Sequence, residues 1–292
     1  MKQSLAVYFG EFLGTFILVF FGTAIVAVSV LFNATAGLVQ VAVVWGIGVT
    51  LAIYATRHLS CAHLNPAVSL GMVLAGRMQP RLLLPYWCSQ LLGAVAAGGC
   101  VLLLFYAPIA HFETAQGIIR GSSGSVRTAM IFGEYFPNPG FVNSWFDISF
   151  ATAMLVEGFG TFMLVTMIFL LTEGCNVGRP SEVLAPVFIG AAVAALIAVT
   201  APLTQTGINP ARDFGPRLVA YLAGWGPVAI PGPKGGFFWV YIAAPLMGGA
   251  VAAGCFRFVV APLMTAKISV VSCGCAAIDK IPESADAVHV SP

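Results

Sequence analysis

The sequence predicts an all-α polytopic membrane protein, with six transmembrane helices and two re-entrant half-helices arranged as an inverted repeat. Three observations predict it. Apolar residues make up 59% of the 292 positions and charged residues only 8%, with a strongly positive mean hydropathy, a composition outside the range of water-soluble domains. Six apolar segments reach the roughly 20 residues that a bilayer-spanning helix needs. Two more fall short, and both open with the same tripeptide, Asn-Pro-Ala, at Asn65 and Asn209.

The six long segments cover residues 5–32, 37–56, 82–106, 148–172, 183–202 and 237–260. The first is too long for the core of a signal peptide, and no small-residue cleavage site follows a polar break, so a retained helix is expected. The short segments, 65–76 and 209–222, have apolar runs of about 12 to 14 residues and reach only about 18 to 21 Å as helices, half a membrane. Asn65 and Asn209 can cap free backbone N–H groups through their side-chain oxygens, and Pro66 and Pro210 then occupy the first helical position at no cost in hydrogen bonds. Ala67 and Ala211 complete the two starts. The irregular backbone just ahead, at Cys61, Ala62, His63 and Leu64 and again at Gln205, Gly207 and Ile208, bares carbonyls that hydrocarbon cannot satisfy. Those carbonyls must be buried in protein or line a wet cavity.

"GEFLGTFILV" at 10–19 matches "VEGFGTFMLV" at 156–165, a shift of 146 residues, and Asn65 and Asn209 are 144 apart. The chain is therefore an internal duplication. Three full spans precede the second copy, so it enters from the opposite side and the copies are related by an axis in the membrane plane. The expected organisation is a first repeat at 1–106, an extracellular connecting loop at 107–147, rich in Gly, Ser and Pro, a second repeat at 148–262 and a cytoplasmic tail at 263–292, mobile from Ser269 onward. Lys2, Arg77, Arg81, Arg179 and Lys267 share the face of the termini, against Arg120, Arg127 and Lys234 opposite, which places both termini in the cytoplasm.

The net charge of +2 is spread over both halves, so neither a nucleic-acid partner nor a polybasic lipid-binding tail is indicated. Cys61, Cys88, Cys100 and Cys255 lie within or beside apolar segments and read as small hydrophobes, with no disulfide framework. Cys273 and Cys275 lack further ligands at metal-binding spacing, so neither metal nor cofactor is expected. No nucleophile, base and orienter set and no phosphate-binding glycine loop suggests an enzyme. Arg212 follows Asn209 by three residues on the same helix face, and an arginine at membrane depth is costly enough to mark a pathway. Asp213 is assigned to Arg217, four residues on. Glu11 and Glu157, at equivalent places of the repeats, are intramembrane carboxylates of the kind a transporter uses to carry protons or sodium.

Two Asn-Pro-Ala half-helices in a duplicated six-span chain, with a glutamate early in each half, resemble the aquaporin and glycerol facilitator family, the major intrinsic proteins, from about Leu5 to Ala261. The resemblance implies an aquaporin-like fold, half-helices meeting end to end at the bilayer centre, a pore lined there by Asn65, Pro66, Ala67, Asn209, Pro210 and Ala211, and Asn65 and Asn209 aiming amide N–H groups into it. It implies that Glu11 and Glu157 accept hydrogen bonds from the re-entrant backbones, and that His63 orders its loop and lends its carbonyl to the pore. It places an outer selectivity filter at Trp45, Ile197, Thr206 and Arg212. Water-selective relatives resemble one another in carrying Phe, His, Thr and Arg there, and glycerol facilitators Trp, Gly, Phe and Arg; this chain has neither set. Ile197 removes a polar wall that would favour water, and Trp45 with Ile197 would make an apolar side facing Arg212 and Thr206, suited to a small polyol. "NPARDFGPR" and "APLMGG" also look like the glycerol branch. Cys61, where many relatives have Gly, sets a thiol beside the pore-lining loop. The family further implies four chains, each with its own pore.

The expected function is thus passive passage of glycerol, water and similar small neutral solutes across the plasma membrane, with ions and protons excluded by the two positive helix ends. The alternatives are a water-selective channel, an ion-coupled transporter, since inverted repeats with broken helices also build those, and a scaffold with a closed pore.

Overall fold

The computed structural model describes residues 2–141 and 147–267. The Cys273 and Cys275 pair and most of the expected tail lie outside the described residues. The helices are α1 (Lys2–Phe32), α2 (Leu38–Ser60), α3 (Pro66–Leu74), α4 (Leu83–Ala115), α5 (Val126–Ala129), α6 (Phe150–Thr172), α7 (Ala185–Thr204), α8 (Pro210–Ala220), α9 (Ala244–Cys255) and α10 (Ala261–Lys267). Among the described residues six spans are long and apolar enough to cross a membrane: Leu5–Phe32, Leu38–Ser60, Pro80–Ala115, Phe150–Thr172, Ala185–Thr204 and Phe237–Ala266. In the last, π-helical stretches at Phe237–Ala243 and Phe256–Val260 flank α9. Leu103, Leu155 and Val199 stand on the outer surface at 79%, 70% and 74% exposure, as hydrocarbon-facing side chains do and core side chains of soluble proteins do not.

Packing follows the duplication. In the first repeat α1 lies against α2 and α4; in the second α6 lies against α7 and α9; α2 packs on α7 across the centre. Each half-helix is seated on the last span of the other repeat, α3 on α9 and α8 on α4, so exchanging the repeats leaves the pattern unchanged. The central crossing is close because two glycines meet there. A Cβ on Gly46 would sit 2.5 Å from the carbonyl oxygen of Gly190, and one on Gly190 would strike Gly46 in return. Small residues let helix backbones approach in lipid, where packing and not hydrophobic expulsion holds helices together.

The stretch 107–147, expected as an extracellular connecting loop, contains helix of its own. Helix α4 continues into it as far as Ala115, because Glu113 near its end is satisfied by Arg120 at 2.8 Å and by the Thr128 hydroxyl at 2.7 Å. Gly117, at φ 63°, then turns the chain. Beyond α5 the segment folds back into the protein, burying Ile131, Phe132, Glu134, Tyr135 and Asn138.

Candidate functional site

The two half-helices begin as the sequence dictates. Asn65 Oδ1 accepts from the Ala67 N–H at 2.8 Å, and Asn209 Oδ1 from the N–H groups of Ala211 and Arg212 at 3.1 and 3.2 Å. The same side chains tie the repeats together: Asn65 Nδ2 donates to the Ile208 carbonyl and Asn209 Nδ2 to the Leu64 carbonyl, each at 2.9 Å. The two N-termini therefore meet tip to tip, and their partial positive charges fall in one place. Each amide carries a second N–H, and both asparagines line a cavity of about 430 Å³. Pro66, Ala67, Pro210 and Ala211, expected on the pore wall, are buried and absent from the cavity lining. In the first repeat the backbone is engaged elsewhere: the Pro66 carbonyl accepts from Trp87 Nε1 at 3.0 Å, and the Ala67 carbonyl lies against Gly249.

Ahead of each tip the backbone is strained. Cys61, Ala62 and Leu64 have φ of 66°, 52° and 55°, and Gln205, Thr206 and Ile208, at matching places, 61°, 69° and 44°. A left-handed non-glycine residue costs of order 1–2 kcal/mol, so each loop needs a clamp. Glu11, fully buried, supplies one: Oε1 accepts from the His63 N–H at 2.9 Å, and Oε2 from the Leu64 N–H at 2.8 Å and from Gln90 Nε2 at 2.7 Å. Glu157 supplies the other, with Oε1 accepting from Gly207 N–H and the Thr204 hydroxyl at 2.9 and 2.6 Å and Oε2 from Ile208 N–H at 2.7 Å. Both oxygens of both carboxylates are engaged. With their N–H groups pinned, the loops present Cys61, Ala62, His63, Leu64, Gly207 and Ile208 along the cavity, while Gln205 lines a second one. The Leu64 and Ile208 carbonyls are not free for solute alone, since each already accepts an asparagine N–H. His63 Nδ1 lies 3.3 Å from Ser69 Oγ.

The cavity of about 430 Å³ opens on the face of the termini and another of about 470 Å³ on the opposite face; both end on Trp45, Ile197 and Arg212. These three residues therefore stand between the two cavities. Thr206 joins them on the first cavity, its hydroxyl 2.8 Å from that of Thr200. Trp45 faces Arg212 at contact distance. The guanidinium carbon lies 4.0 Å from the Trp45 ring centre, in stacking contact, as expected of a cation over an indole face.

Arg212 also meets a partner that the sequence reading missed. The carboxylate of Glu134, from the inward-folded segment, forms an ion pair with Arg212 Nη1, and both side chains are 5% exposed. The backbone of Glu134 is held on both sides, its N–H donating to Asp213 Oδ1 at 2.7 Å and its carbonyl accepting from Arg217 Nη2. Arg217 in turn grips Asp213 with two bonds, Nε to Oδ2 at 2.9 Å and Nη2 to Oδ1 at 2.8 Å, the fork geometry that suits a buried pair. The one signal available in the sequence was a glutamate amid Gly, Ser and Pro in a chain with few charges.

A six-span bundle in which two capped half-helices meet inside, with a cavity on either face, defines a membrane pore of the re-entrant type. The model of the major intrinsic protein family matches residues 1–256, and the chain belongs to that family. It is 42% identical over 252 residues to a glycerol uptake facilitator protein of Pseudomonas aeruginosa, covering 86% of this chain and 87% of that one. It is 40% identical over 262 residues to a glycerol uptake facilitator protein of Escherichia coli K12, covering 89% and 90%, and 38% identical over 251 residues to a propanediol uptake facilitator of Citrobacter freundii, covering 86% and 90%. The X-ray structure of the aquaglyceroporin from Plasmodium falciparum superposes with a TM-score of 0.75 at 25% identity, covering 90% of this chain and 99% of that one.

Proposed function

We propose that this protein is a passive channel for glycerol and similar small neutral solutes, with water, excluding ions and protons. The observation that carries the reading is the reciprocal pair of asparagine bonds that holds two positive helix ends together beside the cavity. A neutral hydroxyl can accept from the remaining amide N–H groups, whereas a cation at that point meets both helix dipoles. Apolar side chains such as Leu18, Val49, Leu164 and Val193 complete the lining, so a small polyol can set its CH groups against them and its hydroxyls toward Asn65, Asn209 and Arg212. Relatives named for uptake of glycerol and of propanediol favour this solute class. The engagement of both oxygens of Glu11 and of Glu157 by backbone N–H groups argues against their use as ion carriers, and hence against the coupled transporter. No catalytic step belongs to this reading.

We infer that the protein sits in the cell membrane with both termini cytoplasmic. Arg57, Arg77, Arg81, Arg179 and Arg257 near the face of the termini outweigh Arg120, Arg127 and Lys234 opposite, as the positive-inside rule requires. The quaternary reading, by family resemblance, is a homotetramer with a pore in each chain. Stopped-flow light scattering of proteoliposomes under a glycerol gradient, with sorbitol to read water flux, tests the function. Fast glycerol re-swelling that is indifferent to an imposed pH gradient is expected. Glycerol flux no faster than in protein-free vesicles, or flux that needs a proton gradient, would refute it.

A further inference from the structure

The constriction holds a buried arginine, and Glu134 approaches it from outside both repeats. The places of the first repeat equivalent to Arg212 and Asp213, 144 residues earlier, are Val68 and Ser69, so the duplicated architecture supplies no counterpart for this charge. Arg212 stands against Glu134, and Arg217 against Asp213. The four groups carry two positive and two negative charges, all within residues no more than 5% exposed. The main chain of Glu134 is held beside the pair, because Asp213 and Arg217 bond its backbone from both sides. Glu134 and Arg212 line the same cavity on the face away from the termini, so a solute entering there meets them together, as a neutral pair with spare N–H donors.

We propose that Glu134 is a specificity-determining residue of the pore. Its carboxylate cancels the charge of Arg212, so that the constriction sorts solutes by shape and hydrogen bonding and offers no net attraction to anions. Cations remain excluded by the half-helix ends. Without Glu134, a desolvated guanidinium in a low-dielectric passage would draw anions inward, since a buried charge lacking its partner is strongly unfavourable and seeks another. The proposal rests on the channel reading above and deepens it.

The test uses Glu134→Gln and Glu134→Asp in proteoliposomes, reading glycerol flux beside swelling in potassium nitrate with valinomycin, where the ionophore carries potassium and nitrate needs its own path. Wild type should pass glycerol and no more nitrate than protein-free vesicles. Glu134→Gln should still pass glycerol while its nitrate flux rises about tenfold or more, the low end of what a focused field does to local counter-ion concentration. Glu134→Asp, which keeps the charge on a shorter arm, should exclude nitrate as wild type does. An unchanged nitrate barrier in Glu134→Gln, whether its glycerol flux stays or falls, would overturn the proposal, and so would nitrate passing Glu134→Asp as freely as Glu134→Gln. A wild-type protein that passes no glycerol would refute the channel reading itself, which is a separate and recognisable result.

Discussion

Glu157 sits at 0% exposure with three donors on its carboxylate, and its work is mechanical: it pins a loop in which three non-glycine residues are left-handed. Glu157→Gln retains one acceptor but turns an amide N–H toward a backbone N–H, leaving a buried donor unmade at about 1–3 kcal/mol. The expected outcome is a lower thermal midpoint of the solubilised protein together with reduced glycerol flux. An unchanged midpoint and flux would show that the clamp is dispensable. At this scale, residues whose surroundings are local could be placed from sequence: Asn65 and Asn209 as caps, and Asp213 with Arg217 one helical turn on. Residues whose partners come from distant chain could not. Glu134 lies 78 positions before Arg212 in a segment without periodicity, and the stacking of Arg212 on Trp45 depends on how α2 and α8 are brought together.

Helix contacts decide which glycines matter. Gly46 and Gly99 are both inside transmembrane helices, yet a Cβ on Gly46 would press against the Gly190 carbonyl and the Ala194 side chain, while one on Gly99 meets nothing within 4 Å. Gly46→Ala should therefore cost about 1–3 kcal/mol through overpacking. Gly99→Ala should be neutral or slightly stabilising, because Ala is the better helix former. Thermal unfolding of the two variants side by side checks the contrast, and equal midpoints would contradict the close crossing of α2 and α7. Span number and the short half-helices were readable from hydropathy and capping, since lipid imposes length and Asn-Pro imposes a start. The extension of α4 to Ala115 was not, because Glu113 looks like a polar break until Arg120 and Thr128 are seen to satisfy it. Nor was the π-helical winding of the last span, which carries no mark in its residue types.

On the scale of the molecule, the exchange symmetry in which helix packs on which is broken where the inward-folded segment brings Glu134 to Arg212. The symmetric part builds the passage, with two helix ends aimed at one point; the asymmetric part trims one mouth. This division makes neutral flux and charge exclusion properties of the same place, so they must be measured together. Proteoliposomes loaded with a pH-sensitive dye and given simultaneous glycerol and proton gradients provide that measurement. The account requires glycerol to equilibrate rapidly while internal pH decays no faster than in protein-free vesicles. Collapse of the pH gradient in step with glycerol entry would contradict it, because two joined positive helix ends could not then be what a solute meets midway.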